Sequence, residues 1–404
     1  MTVNGRDAVI VRRLRRPLVL LAGVLAATLA AFLLTACGGG GDEEAAPTAQ
    51  RTTVAQPTTS GAAASPVAAS PCPPAGAATT LDGAGATFPF PLYSKWVDEF
   101  DKQCNVQINY QSIGSGGGIR QITAKTVDFG ASDGIMNDEQ TAAAEAAGGP
   151  ILHVPMTAGA VAVVLNLPGV ENGQLKLTPD VLAGIYLKEI TRWDDPRVAA
   201  DNPDVDLPST DIAVVHRSDG SGTTFIFTNY LSKVSQQWAD GVGFATSVEW
   251  PGDIGGEGNE GVANQVRQIP GAIGYVELAY AVQNDLPWAA VQNKSGRFVE
   301  PGLEATTAAA VGVTLPDDMK VLLTDADNPD AYPIVGFTWV LAYVSQTDRA
   351  KGEALVYYLW WSIHDGQQFS TDLLYAPLSP EAVTKAEAEI ESISYQGQPL
   401  LQVP

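Results

Sequence analysis

Apolar and polar positions divide the chain into three stretches. Residues 17–34 are an almost unbroken apolar run, and residues 38–80 contain no aromatic residue, Leu or Ile. From Leu81 onward apolar residues recur with regular periods. Leu92, Tyr93, Trp96, Val97 and Phe100 have helical spacing behind a proline-bearing start. Val106, Ile108 and Tyr110 alternate as in a strand. Ile119, Ile122 and Ala124 open a second helical pattern, and Phe129–Ser132 reads as a short buried strand. Ala158–Leu165 is the near-continuous apolar run of a strand covered on both faces. Further along, the pattern predicts a helix over Val181–Trp193, a strand at Ile212–Val215 and a helix over Phe225–Trp238. Strands follow at Ile273–Val276 and Ile334–Val344, then a helix over Lys351–Trp361. Strands alternating with helices predict an α/β protein, with no repeat at a solenoid period. Trp96, Trp193, Trp238, Trp339, Trp360 and Trp361 occupy apolar positions and are assigned to the core.

The first two stretches carry different information. Arg6, Arg12, Arg13, Arg15 and Arg16 precede the apolar run, and Leu34-Thr35-Ala36-Cys37 follows it. Basic, apolar and small-residue regions in that order form a secretory signal. The ending resembles the lipobox of bacterial lipoproteins, which implies that residues 1–36 are a signal peptide and Cys37 the lipidated anchor. A transmembrane helix ending near Ala36 is the alternative, since the run is about long enough to span. The polar segment behind Cys37 favours the lipoprotein. Residues 37–80 read as the anchor and a disordered tether, too poor in apolar residues to offset the entropy of ordering. The bulk of the chain is then extracytoplasmic, on the membrane in the periplasm or at the cell surface. With Cys37 set aside, Cys72 and Cys104 remain, and an oxidising compartment favours a disulfide between them.

Composition excludes several classes. The 404 residues suit about two to three domains. A net charge of −22 argues against nucleic acid as a partner. His153, His216 and His364 lie far apart, and three cysteines make no zinc pattern, so no metal is expected.

Three glycine-bearing segments each precede an amphipathic stretch: Gly83–Pro89, Ile113–Gly118 and Arg217–Thr224. At a helix N-terminus the first N–H groups lack intrahelical partners and the dipole is positive. One Ser-Gly before a helix is ordinarily a cap. Three together, with Arg217 close to Ser221, point to a site for an oxyanion. Asp219 is placed to orient Arg217.

The blocks GAGATFPFPLYSKW, IGSGGGIRQI, VDFGASDGIMND, DIAVVHRSDGSGTTFIFTNYLSKV and IPGAIGYVELAYA resemble the phosphate-binding proteins of bacterial high-affinity phosphate ABC importers. The resemblance covers roughly residues 81–404. It implies a type II periplasmic-binding fold, two α/β lobes joined by crossing strands with ligand between them. The lobes are expected at 81–156 plus 334–404 and at 157–333, exchanging near Pro155–Thr157 and Pro333–Gly336. It also implies roles. Thr87, Phe88 and Ser115 would donate from hydroxyls and backbone N–H groups. Asp133 would be the single acceptor. Arg217, held by Asp219, would pair with the anion, and Ser221, Gly222 and Thr223 would complete the cradle. Inorganic phosphate and a membrane ABC permease are the implied partners, for a monomer without a cofactor.

The residues also admit rival functions. An extracytoplasmic phosphatase or serine hydrolase is disfavoured, because Ser221 is not in a G-x-S-x-G context and no histidine has an assignable partner. The Gly-rich segments also lack the GK[ST] ending of a nucleotide loop. A same-fold binder of another oxyanion would use the same donors, and a surface adhesion or sensor protein would carry the same tether and anchor.

Overall fold

The computed structural model describes residues 71–252 and 254–402. The expected signal peptide, Cys37 and the tether up to residue 70 lie outside the described residues. From residue 71 the chain is docked rather than a free tether. Cys72 is disulfide-bonded to Cys104, at a Cα–Cα distance of 5.2 Å. The Ala78 N–H donates to Ala350 O at 2.9 Å, and a strand begins at Thr80.

One sheet of eight strands organises the structure. In chain order they are β1 (Thr80–Gly85), β2 (Gln107–Ser112), β3 (Phe129–Ser132), β4 (Ile151–Leu165), β5 (Ala213–Arg217), β6 (Ile254–Gly256), β7 (Ala272–Glu277) and β8 (Val335–Tyr343). Their spatial order is β2-β1-β3-β8-β4-β7-β5-β6. β2, β1 and β3 are mutually parallel, as are β7, β5 and β6. The antiparallel pair β4 and β8 joins the two groups. β4 pairs with β8 through Ile151–Ala160, then with β7 through Val161–Leu165. Both joining strands are buried almost throughout, which explains their unbroken apolar sequence.

Helices cover the faces. Phe90–Cys104 starts with Pro91 in its first turn and buries Leu92, Tyr93, Trp96 and Phe100, the apolar stripe read from the sequence. Phe100 meets Tyr358 and Trp361 of the helix Arg349–Ile363 at ring distances of 5.3 and 5.6 Å.

The pattern misjudged some limits. The helix expected over Val181–Trp193 spans only Pro179–Tyr186. The chain turns at Lys188, where φ is 62°. Ile190 and Trp193 stay buried, because Trp193 swings in to donate from Nε1 to Gly271 O at 3.0 Å. Core placement thus mimics a continuing helical period. The helix expected over Phe225–Trp238 is two, Gly222–Val234 and Gln236–Gly241. Ser235 between them is extended and caps the second. Gly83 and Gly85, read as part of a loop, belong to β1. Trp360 is only half-buried, while the other five tryptophans assigned to the core are fully buried. The helices Asp138–Gly148 and Gly258–Gln268 were not foreseen from the apolar pattern.

The disulfide closes a loop with a sequence separation of 32. Replacing both cysteines by serine should lower stability by about 2–4 kcal/mol, read as a shifted midpoint in denaturant. An unchanged midpoint would show that the segment is held by its other contacts alone.

Candidate functional site

Five loops leave the C-terminal ends of parallel strands and converge. Thr87 and Phe88 follow β1, Ser115 follows β2 and Asp133 follows β3. Arg217 ends β5, with Asp219 to Thr223 next in the chain, and Gly258 and Asn259 follow β6. Strand ends of an open α/β sheet are where such folds bind ligands, because loops and helix N-termini open there. Ser115 begins the helix Ser115–Thr123 and Gly222 begins Gly222–Val234. Gly114, just ahead of Ser115, has φ 78°, a left-handed geometry that favours glycine.

The structure brings the sequence-derived residues together. Thr87, Phe88, Ser115, Asp133, Arg217, Ser221, Gly222 and Thr223 are all buried. The two strand groups meet directly here: the Gly116 N–H donates to Gly220 O at 2.9 Å. A Cβ on Gly222 would collide with the Asp133 carboxyl and the Ser115 hydroxyl, so only glycine permits this approach. Ser221 also caps its helix, accepting from the Thr224 N–H at 3.0 Å.

Arg217 is held by Asp219. Its Nε and Nη2 both donate to Asp219, at 2.7 and 2.5 Å. That side of the guanidinium is used up, which leaves the Nη1–Nη2 end for other partners. Asp219 is itself held by the Gly258 N–H at 3.1 Å. The Arg217 charge helps keep the Asp219 carboxyl below the usual range, against the effect of burial.

Asp133 is the one carboxyl among these donors. Thr338 donates to its Oδ1 at 2.7 Å, and the Ser115 hydroxyl lies 3.3 Å from Oδ2. Burial pushes its pKa up to about 7, although the Thr338 hydrogen bond and the Arg217 charge pull the other way.

Sequence reasoning missed Thr338, Asn259, Glu277, Tyr280 and Tyr375. Asn259 had a legible signal in Gly255-Gly256-Glu257-Gly258, a fourth glycine-rich helix start. Thr338 arrives from 205 residues away on an apolar strand and had none. Tyr280 donates to Thr87 O at 2.6 Å. Thr87 O and the Phe88 N–H share one peptide unit, so this bond polarises that N–H.

An apolar cavity of about 800 Å³ lies elsewhere, lined by Val311, Leu315, Phe337 and Leu378 among others. It contains no cationic group and none of the converging residues.

Comparison with known proteins identifies the family. A family model described as a PBP superfamily domain matches residues 53–360. A protein named phosphate-binding protein PstS from Pasteurella multocida is 45% identical over 80% of this chain and 94% of its own. This chain belongs to the phosphate-binding PstS family of the PBP superfamily. Proteins of the same name from Xylella fastidiosa and Methanocaldococcus jannaschii are 44% and 39% identical, over 79% and 70% of this chain and 88% and 78% of their own. Among solved structures, a high-affinity periplasmic phosphate-binding protein bound with phosphate shares the fold. It aligns with a TM-score of 0.62 at 20% identity, over 76% of this chain and 93% of its own. Membership thus makes the α/β periplasmic-binding architecture a family property.

A second buried acid, Glu277, lies near the site. The Tyr375 hydroxyl lies 2.7 Å from Phe88 O and 2.8 Å from Glu277 Oε2. Tyr375 donates toward both oxygens, and Glu277 Oε2 also accepts the Ala279 N–H at 2.9 Å. Glu277 is completely buried, which raises its pKa well above the usual range. Its Oε1 has no hydrogen-bond partner.

Asp133 and Glu277 each contribute to the pH dependence of stability. Between the ordinary carboxylate value and the raised one, the folded chain holds a proton that the unfolded chain releases. Stability therefore falls with rising pH across that window, from 3.8 to about 7 for Asp133. Chemical denaturation of the phosphate-free protein should show this loss. Asp133→Asn and Glu277→Gln should each flatten it, and a slope unchanged in both would contradict the assignment.

Proposed function

We propose that this protein binds inorganic phosphate at the converging strand ends and delivers it to a membrane ABC permease, outside the cytoplasm. The reading rests on one observation above all: buried donors converge beside one fully buried carboxyl, Asp133, whose pKa is pushed up to about 7. Donors suit any oxyanion. The carboxyl suits one that still carries a proton, as phosphate does near neutral pH and sulfate does not.

The ligand set is Thr87, Phe88, Ser115, Asp133, Arg217, Ser221, Gly222 and Thr223, with Asp219 orienting Arg217. Residues 81–156 plus 334–404 form one lobe and 157–333 the other. Hydrogen bonds such as Gly116 to Gly220 support a closed arrangement, which ligand touching both lobes stabilises by its preference for that state. Export by the residue 1–36 signal, lipidation of Cys37 and a tether of variable reach would hold a monomeric binding protein at the membrane. Among the described residues no helix is long and apolar enough to cross a membrane.

Specificity follows from electrostatics. Against a fully deprotonated anion, Asp133 must either present charge to charge or take up a proton first. Above pH 7 that uptake costs roughly tenfold in affinity per pH unit. Phosphate supplies the proton itself.

Titration calorimetry on the full chain, freed of bound anion, should give one-to-one phosphate binding with little heat from sulfate. No phosphate binding by the refolded protein would overturn the proposal and favour another oxyanion or an adhesion role.

Two further outcomes test Asp133. The preference for phosphate over sulfate should widen from pH 6 to pH 8. Asp133→Asn, whose amide can donate to sulfate, should narrow the preference and remove its pH dependence. Unchanged discrimination in that variant would take Asp133 out of the specificity role.

A further inference from the structure

Asn259 is completely buried and has only one workable orientation. Its Oδ1 accepts the backbone N–H of Glu277 at 2.9 Å. Only an oxygen can meet that donor, so the side-chain amide cannot be flipped. Its Nδ2 then donates to two hydroxyls, Thr87 at 2.7 Å and Thr223 at 3.1 Å.

Those hydroxyls receive more. The Asn259 backbone N–H reaches Thr87 Oγ1 at 3.3 Å, and Arg217 Nη1 reaches Thr223 Oγ1 at 3.4 Å. A hydroxyl oxygen has two lone pairs and one proton. In both threonines the lone pairs are engaged by N–H groups, and the proton alone remains to be given.

We infer that Asn259 is a positioning residue that forces Thr87 and Thr223 to act only as donors toward the anion. The inference rests on the phosphate reading above and deepens it. Thr87 follows β1 and Thr223 follows β5, from the two strand groups that β4 and β8 join. One amide spans both, so the complete donor polarity exists only when the two groups are together. Asn259 thereby ties closure to the chemistry of the cradle. The same polarity sharpens selection: with both threonines fixed as donors, Asp133 is left as the acceptor for a ligand proton.

The test measures inorganic phosphate affinity of the full chain by titration calorimetry. Asn259→Asp keeps an oxygen for the Glu277 N–H but turns the other side-chain atom from donor to acceptor. Asn259→Leu keeps the approximate volume, adds no charge and donates nothing. Asn259→Leu should weaken phosphate binding by about 10-fold to 100-fold. Asn259→Asp should weaken it more at pH 8 and recover toward acid pH as the new carboxyl gains a proton.

The decisive comparison is in a Thr87→Val, Thr223→Val background, where the hydroxyls are absent. There Asn259→Leu should cause little further loss. A loss equally large in that background would make Asn259 a packing residue and overturn the inference. So would wild-type affinity in both single variants. If Asn259→Leu fails to fold, Asn259→Ser carries the same comparison. Failure of the wild-type protein to bind phosphate would instead bring down the functional reading, a result separable from normal wild-type binding with insensitive variants.

Discussion

Asp133 is a carboxyl group buried among groups arranged for an anion, and the remaining parts of the site answer to that placement. Removing a carboxylate from water raises its proton affinity, and here it does so to about 7. Thr338, Ser115 and Arg217 oppose the shift and keep it from going further. The group is therefore held where a proton can pass between protein and ligand at little cost. An entirely donor-lined pocket would hold any oxyanion of the right size. On the proposed reading, one acceptor with this proton affinity would turn the pocket into a detector of a ligand's remaining proton.

Such an arrangement needs rigid delivery of donors from distant parts of the chain. The sheet provides it through parallel strands whose C-terminal ends open in one place. Each contributes a loop or a helix start with unpaired N–H groups. β4 and β8 join the two parallel groups along one antiparallel pair. Asn259, Tyr280 and the Glu277–Tyr375 contact then bind the segment at Thr87 and Phe88 from both sides. These contacts, with Arg217 locked to Asp219, would let the proposed anion site exist in a chain of net charge −22. Local dipoles and hydrogen bonds act at contact distance, while surface charge is screened within about 10 Å by salt.

Much of the ligand cradle was legible because its requirements are local. A glycine next to a hydroxyl residue at the start of an amphipathic helix implies exposed N–H groups wherever the helix lies. That reasoning found the segments holding Thr87, Ser115 and Ser221 to Thr223. Gly255 to Gly258 carried the same signal and was passed over because its helix has little apolar character. The Val181–Trp193 helix was misjudged for a related reason. Periodicity reports burial, and Ile190 and Trp193 are buried after the chain has left the helix.

The amino-acid sequence by itself determined the alternation of strands and helices, the donor-rich segments, the pairing of Arg217 with Asp219 two residues on, and the resemblance that named the family. Each of these depends on neighbours in the chain. Tertiary structure alone decided the proton affinities of Asp133 and Glu277 and the N–H groups that meet the Thr87 and Thr223 hydroxyls. These depend on desolvation and on partners as far apart in sequence as Thr338 and Asp133, or Asn259 and Thr87. Whether a group gains a proton or gives one is a property of its surroundings, and only folding assembles those.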